Sequence, residues 1–157
     1  MTSADQATAG LGGLAHLIGQ WRGTGSGTWE GTHFGYLEEL EFTHAGKPHL
    51  VYTQRTRSSD DGRPLHAEMG FWRAAGDDVE LVIAQGIGVA ELSLGTWAGE
   101  TLTATSIGLM LTSSAKPVTA VRRTYSVRGD LLLCALEMST TGGDVLPHLE
   151  ARLERTR

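Results

Sequence analysis

The stretch Gly19-Gln20-Trp21-Arg22-Gly23-Thr24-Gly25 constrains the fold more than any other part of the chain. In an extended segment successive side chains point to opposite faces, so Gly19, Trp21, Gly23 and Gly25 share one face. Gly27 and Trp29 continue it. Glycine packs no side chain and loses backbone entropy in a strand. Four on one face therefore mark a bend, a bulge, or the close approach of another backbone or a flat ligand. Two readings stay open: a strand closing a barrel around a Trp21 plug, and a strand against which a ligand lies. Neither is a phosphate loop. No helix follows, as G-x-G-x-x-G requires, and G-x-x-x-x-G-K-[ST] does not occur.

Met1 to Gly10 is small and polar and reads as a disordered tail. Leu11, Leu14, Leu17 and Ile18 follow at helical spacing, which predicts one or two turns of helix. From Gln20 the period becomes two. The expected strands are Gln20–Trp29, Phe34–His44, His49–Ser58, Leu65–Ala74, Val79–Gly86, Val89–Trp97, Glu100–Ile107, Val118–Val127, Leu131–Met138 and Leu146–Arg155. Turn signals such as Ala45-Gly46-Lys47-Pro48, Asp60-Asp61-Gly62-Arg63-Pro64 and Gly129-Asp130 separate them. Gly108–Lys116 is unpatterned and is expected to be a loop near an opening. About ten short strands with almost no helix mean an all-β sandwich or an up-and-down antiparallel barrel, as one domain over residues 11–157. A barrel of this size can hold one small ligand.

Composition narrows the partners. The chain carries a net charge of −5, so nucleic acid is not the expected partner. Cys134 is the one cysteine, which excludes an intrachain disulfide and suits a reducing cytoplasm. It lies in the apolar run Leu131–Leu136 and is expected to be a buried, inert thiol. The start of the chain lacks the pattern of a signal peptide, and no apolar run approaches the length of a membrane helix. H-x-x-x-H, H-E-x-x-H and G-x-S-x-G are all absent, so neither a zinc site nor a serine nucleophile is indicated.

A set of motifs runs from Leu14 to Arg155. It includes Gly19-x-Trp21-x-Gly23-x-Gly25-x-Gly27, Gly46-Lys47-Pro48-His49-Leu50-Val51-Tyr52, Gln54-Arg55-Thr56 and Pro64-Leu65-His66-Ala67-Glu68-Met69-Gly70. Ala115-Lys116-Pro117-Val118 and Pro147-His148-Leu149-Glu150-Ala151-Arg152 complete it. In combination these residues resemble the nitrobindins, haem-binding barrels similar to fatty-acid-binding proteins. The resemblance implies a ten-stranded antiparallel barrel with haem b at one mouth and an axial histidine from the last strand, which maps onto His148. It also implies ferric iron with an open distal side, nitric oxide binding and isomerisation of peroxynitrite to nitrate. One departure stands out: family members often carry Tyr-Pro where this chain has Trp29-Glu30.

Residue chemistry tests that assignment. Simple alternation sets His148 with Glu150, Arg152 and Glu154 on a polar outer face, opposite Leu149, Ala151 and Leu153. A bulge near Pro147, or a barrel with a polar interior, would turn it inward. Lys116 and Thr32 are the other expected haem contacts, the lysine toward a propionate and the threonine through its hydroxyl or backbone. Ile107, Leu109, Met110 and Leu111 are expected either against the ring or on the rim. His66 and Glu68 share a face as a polar pair, and His33 is expected near the opening. The rival to the haem protein is a non-catalytic carrier of a fatty acid or other small hydrophobe, with Arg123 or Arg152 meeting a carboxylate. A third reading is a barrel filled by Trp21, Trp29, Trp72 and Trp97. A homodimer is the expected assembly.

Overall fold

A computed structural model describes Thr8 and residues 10–157. The disordered tail expected over Met1–Gly10 lies, Thr8 and Gly10 apart, outside the described residues. A 3-10 helix, Gly12–Leu17, precedes ten strands. These are β1 (Gly19–Trp29), β2 (Thr32–His44), β3 (His49–Ser58), β4 (Pro64–Ala75), β5 (Asp78–Gln85), β6 (Val89–Ala98), β7 (Thr101–Leu111), β8 (Ala120–Arg128), β9 (Leu131–Ser139) and β10 (Leu146–Arg155). Each pairs antiparallel with its neighbour in sequence, and β1 pairs with β10 to close the barrel. The all-β class is as the period-two pattern predicts, and of the two architectures it allowed, the closed ten-stranded antiparallel barrel is the one found, as the family resemblance implies.

The first part of one expected loop is strand, while residues 112–116 are turn and coil as expected. β7 runs to Leu111, with Gly108 to Leu111 paired to Leu92 to Val89 of β6. A register shift between Leu92 and Ser93 leaves Ile107 as an extra residue. That slip breaks the alternation along β7, which is why the segment reads as unpatterned.

The seam between β1 and β10 explains the glycine-rich strand. A Cβ on Gly23 would collide with the carbonyl of Arg152, and one on Gly25 or Gly27 would meet the rings of Tyr36 or Phe34. Those rings fill the space the glycines leave, and Tyr36 donates from its hydroxyl to the Glu150 carbonyl at 3.1 Å. Trp21 faces the same interior and is 0% exposed. Its indole N–H donates to the Leu17 carbonyl at 2.8 Å, and the Arg155 guanidinium lies 4.2 Å over its ring. Arg155 also donates to the carbonyls of Ile18 and His16, so one side chain of β10 ties the helix across the barrel end.

Side chains grade along the barrel axis. At the helix end the interior is apolar, with Trp21, Phe42, Leu50, Trp72, Leu102 and Leu153 buried. Trp72 packs against Phe42, Tyr52 and Tyr125 with ring centroids 4.7–5.2 Å apart. The middle is polar and charged, and the far end is open. Trp21 and Trp72 thus fill one half of the barrel as plugs, whereas Trp97 packs at its edge and Trp29 lines the opening. Trp21→Ala should cost about 3–5 kcal/mol, read as a lowered urea midpoint, because the cavity lies in the closed half where the wall cannot collapse.

Candidate functional site

The open end holds a cavity of about 510 Å³ between the β1–β2 turn, the β3–β4 turn, the segment before β8 and the start of β10. Its wall is largely apolar, with Phe34, Ile87, Val118, Val121, Leu136 and Met138 among the lining side chains. A few polar groups converge on it, the usual make-up of a small-molecule site.

His148 enters this cavity through a register shift. Pro147 pairs with Glu137 and Leu149 with Leu136, so His148 drops out of the ladder between them. Proline lacks the N–H that regular pairing needs. His148 and Leu149 consequently both line the cavity, against the outward position that strict alternation implies. The His148 ring donates from Nδ1 to the Thr28 carbonyl at 2.8 Å. With its proton held there, the lone pair resides on Nε2. Trp29 and Phe34 stand edge-on to the ring, at centroid distances of 5.6 and 6.4 Å. Burial is the main cause that lowers the His148 pKa below its ordinary value; the Thr28 carbonyl opposes this, and the Lys116 charge adds to it.

Thr32, Lys116 and His148, the three residues nominated from sequence, line one cavity. Lys116 is exposed at the mouth, with Nζ 4.4 Å from the centre of the Trp29 ring, a cation–π contact. Trp29 therefore touches both Lys116 and His148. Trp29-Glu30 ends β1 in a two-residue turn whose Glu30 and Gly31 both have positive φ, 49° and 78°. Such primed turns match the twist of a hairpin, and a non-glycine residue there carries some strain. Arg63 also lines the mouth and is paired with Asp61 at 3.0 Å. Its place in a turn-rich run hid it from sequence reasoning, whereas Trp29 was marked as a departure from the family pattern.

Other candidates lie elsewhere. His33 is exposed and bonded to Thr28 Oγ1 at 3.1 Å, outside the cavity wall. Ile107, Met110 and Leu111 are exposed on the outer surface, and Leu109 packs beside Val89, Val118 and Val121, so none of the four lies against the cavity. Arg152 is on the outside. Cys134 is partly buried against the core, and burial pushes its thiol up, which keeps it inert.

Arg123 is fully buried and crosses the middle of the barrel. It donates to Glu68 at 2.6 and 3.0 Å and to Glu91 at 2.7 and 3.0 Å. Tyr52 donates to Glu68 at 2.7 Å, Ser93 and Gln85 donate to Glu91 at 2.6 and 2.8 Å, and His66 contacts Glu68 at 3.2 Å. Glu68 is held well below the carboxylate range by the Arg123 charge and the His66 and Arg123 hydrogen bonds, which together outweigh burial. Glu38 lacks such a partner: only Gln54 Nε2 reaches it, at 3.3 Å. Burial pushes Glu38 up to about 7.

Between its ordinary value of 4.5 and about 7, the folded chain holds a proton on Glu38 that the unfolded chain has released. Its contribution to stability therefore falls as pH rises through that window, and the cost is complete above it. Glu38→Gln removes the titration. The variant should gain on the wild type as pH increases, by up to roughly 3 kcal/mol, in urea midpoints measured across the window.

Known proteins of similar sequence share the family and the fold. The model of a THAP4-like, heme-binding beta-barrel domain matches residues 10–155. The chain is 43% identical over 155 residues to a protein named peroxynitrite isomerase 1 from Mycolicibacterium paratuberculosis, covering 94% of this chain and 95% of that one. It is 43% identical over 153 residues to peroxynitrite isomerase 2 of Mycobacterium marinum, covering 92% and 94%. The crystal structure of Rv2717c from M. tuberculosis superimposes with a TM-score of 0.82 at 38% identity, covering 100% of this chain and 99% of that one. The chain thus belongs to the THAP4-like haem-binding β-barrel family.

Proposed function

We propose that the open cavity holds haem b with His148 as the axial ligand of ferric iron, and that the protein binds nitric oxide and isomerises peroxynitrite to nitrate there. The observation that carries this reading is the His148 imidazole, turned into an apolar cavity with Nδ1 committed to the Thr28 carbonyl and Nε2 free. Neutral imidazole in that form is a standard haem ligand. The rest of the donor set fits the group. Apolar side chains accept a macrocycle, while Lys116 and Arg63 stand at the mouth where propionates would emerge. Thr32 adds a hydroxyl at the same rim. The relatives named peroxynitrite isomerase support the reaction.

Haem, when bound, would supply the ferric iron for this isomerisation, with His148 as the residue that would hold it. Peroxynitrite and nitrate are isomers, so the conversion needs neither a second substrate nor a net proton. The chain's own part is to hold His148 neutral, to exclude bulk water with the apolar wall, and to offer Lys116 at the mouth to a carboxylate. The carrier reading has less support. The Arg123 guanidinium is committed to Glu68 and Glu91, and Arg152 is outside, so neither offers a free cation to a fatty-acid carboxylate. No helix among the described residues is long and apolar enough to cross a membrane. A cytoplasmic setting suits the single cysteine.

His148→Ala should abolish the axial-ligand Soret spectrum and peroxynitrite turnover while the barrel stays folded by circular dichroism. Retention of the wild-type Soret band and haem affinity would refute the assignment. Because the folded His148 pKa is lowered, its neutral form persists below the ordinary value of 6.5 and is lost as pH falls through the lowered one. Haem uptake by the haem-free protein should weaken once pH falls below that lowered value, because the proton then competes with iron for Nε2.

The partner of the outer surface in this proposal is a second copy of the chain. Phe71 of β4, Val82 of β5 and Leu92 of β6 form one row across the strands, beside a second row of Met69, Ala84, Ala90 and Met110. Met69 is 57%, Leu92 48% and Met110 77% exposed. A contiguous apolar face is characteristic of an interface, and two copies related by a two-fold axis bury it reciprocally. The net charge of −5 disfavours an anionic lipid surface as the alternative. Light scattering should report a dimer for the wild type and a monomer for Leu92→Glu; a monomeric wild type would refute this arrangement.

A further inference from the structure

Two imidazoles line the cavity, His148 on β10 and His66 on β4. Around the ring of ten strands, β4 stands four strands from β10 and β5 stands five, which is diametrically opposite. His66 and the β5 residue Gln85 therefore occupy the wall that faces His148. The two imidazoles are within electrostatic reach, since the His66 charge contributes to lowering the His148 pKa.

His66 and Gln85 are the two ends of one buried assembly. From His66 it runs through Glu68, Arg123 and Glu91 to Gln85, with contacts of 3.2, 2.6, 2.7 and 2.8 Å. Only the ends reach the cavity; Glu68, Arg123 and Glu91 are buried. Two carboxylates against one guanidinium leave the assembly one positive charge short. Tyr52 and Tyr125 beside it are pushed up by burial and stay neutral. Glu38 faces it from β2, and the Glu68 and Arg123 charges act on it in opposite directions. His66, at the cavity end of the assembly, is the group able to take up a compensating proton when an anion binds. With Nε2 donating to Glu68, the added proton sits on Nδ1, which has no partner in the protein among the described residues.

We propose that His66 recognises small inorganic oxyanions of the nitrite, nitrate and peroxynitrite class, donating from Nδ1 to an anion on the side of the cavity opposite His148. This rests on the haem reading above and adds an anion-binding group to it. The buried Glu68–Arg123–Glu91 assembly supports the imidazolium and fixes its ring, so the donor is aimed before the anion arrives. The arrangement favours anions over neutral ligands, because only an anion gains from the opposing charge. Gln85, held at Glu91, keeps a second amide hydrogen for the same ligand.

The test uses the ferric haem-loaded wild type, His66→Leu and His66→Gln, with nitrite and nitric oxide as probes and the Soret band as readout. Thermal midpoints establish that the variants fold. His66→Leu should weaken nitrite binding about tenfold or more while nitric oxide affinity stays at the wild-type level, since one charge-assisted hydrogen bond is lost. The rise in wild-type nitrite affinity as pH falls should flatten in the leucine variant, and His66→Gln should recover part of the affinity through its amide donor. Equal nitrite affinity in wild type and His66→Leu at every pH would overturn the proposal. If the wild type takes up no haem, the haem reading fails on its own. Nitrite is then titrated into the haem-free protein with the His66 ring followed by NMR: a shift of its resonances supports the proposal, and their silence overturns it.

Discussion

The β1–β10 seam carries the organisation of this molecule. Glycines at positions 23, 25 and 27 remove side chains where the two strands and the rings above them meet, so the sheet closes tightly. One end of the seam holds Trp21, clamped by Leu17 and Arg155, and seals the barrel. The other end opens at Thr28, whose carbonyl fixes the His148 ring. A single strand pair thus sets both the plug and the candidate iron ligand, and it places them at opposite ends of the axis.

Between those ends, the Glu68–Arg123–Glu91 assembly separates an apolar floor from an open cavity. Burying such charges is costly unless every one is paired, and here each carboxylate has at least two donors. The arrangement contributes specificity of shape more than net stability, because it joins β4, β6 and β8 across the lumen at one level. It also bears on one functional reading: Arg123, spent on two glutamates, is not a free cation for a fatty-acid carboxylate.

Much of the fold was legible in the residues because the strands alternate. β5 is the simplest case: Val79, Leu81 and Ile83 are buried and Glu80, Val82 and Ala84 exposed, as period two requires. β7 was less legible, since a slip at Ile107 breaks the alternation and mimics a loop. The same physics hid the direction of His148. Its type, its place after Pro147 and the family motifs nominated it, but alternation alone turned it outward. Only the unpaired position between Pro147 and Leu149 brings it to the cavity wall. Lys116 and Thr32 were nominated through resemblance, whereas Arg63 and Trp29 carried no motif marking them as cavity residues.

The sequence by itself determined the all-β class of the fold and the exclusion of phosphate loops and disulfides, and it marked Trp21 and the glycines as candidates for a plug and a tight seam. These depend on periodicity, on the absence of side chains at glycine and on residue counts, which are local properties. Tertiary structure decided which polar side chains meet. Arg123 finds Glu68 and Glu91 at separations of 55 and 32 residues, and His148 finds the Thr28 carbonyl at 120. No local pattern encodes such pairings, because closing the barrel brings together residues whose distance along the chain bears no relation to their distance across the lumen.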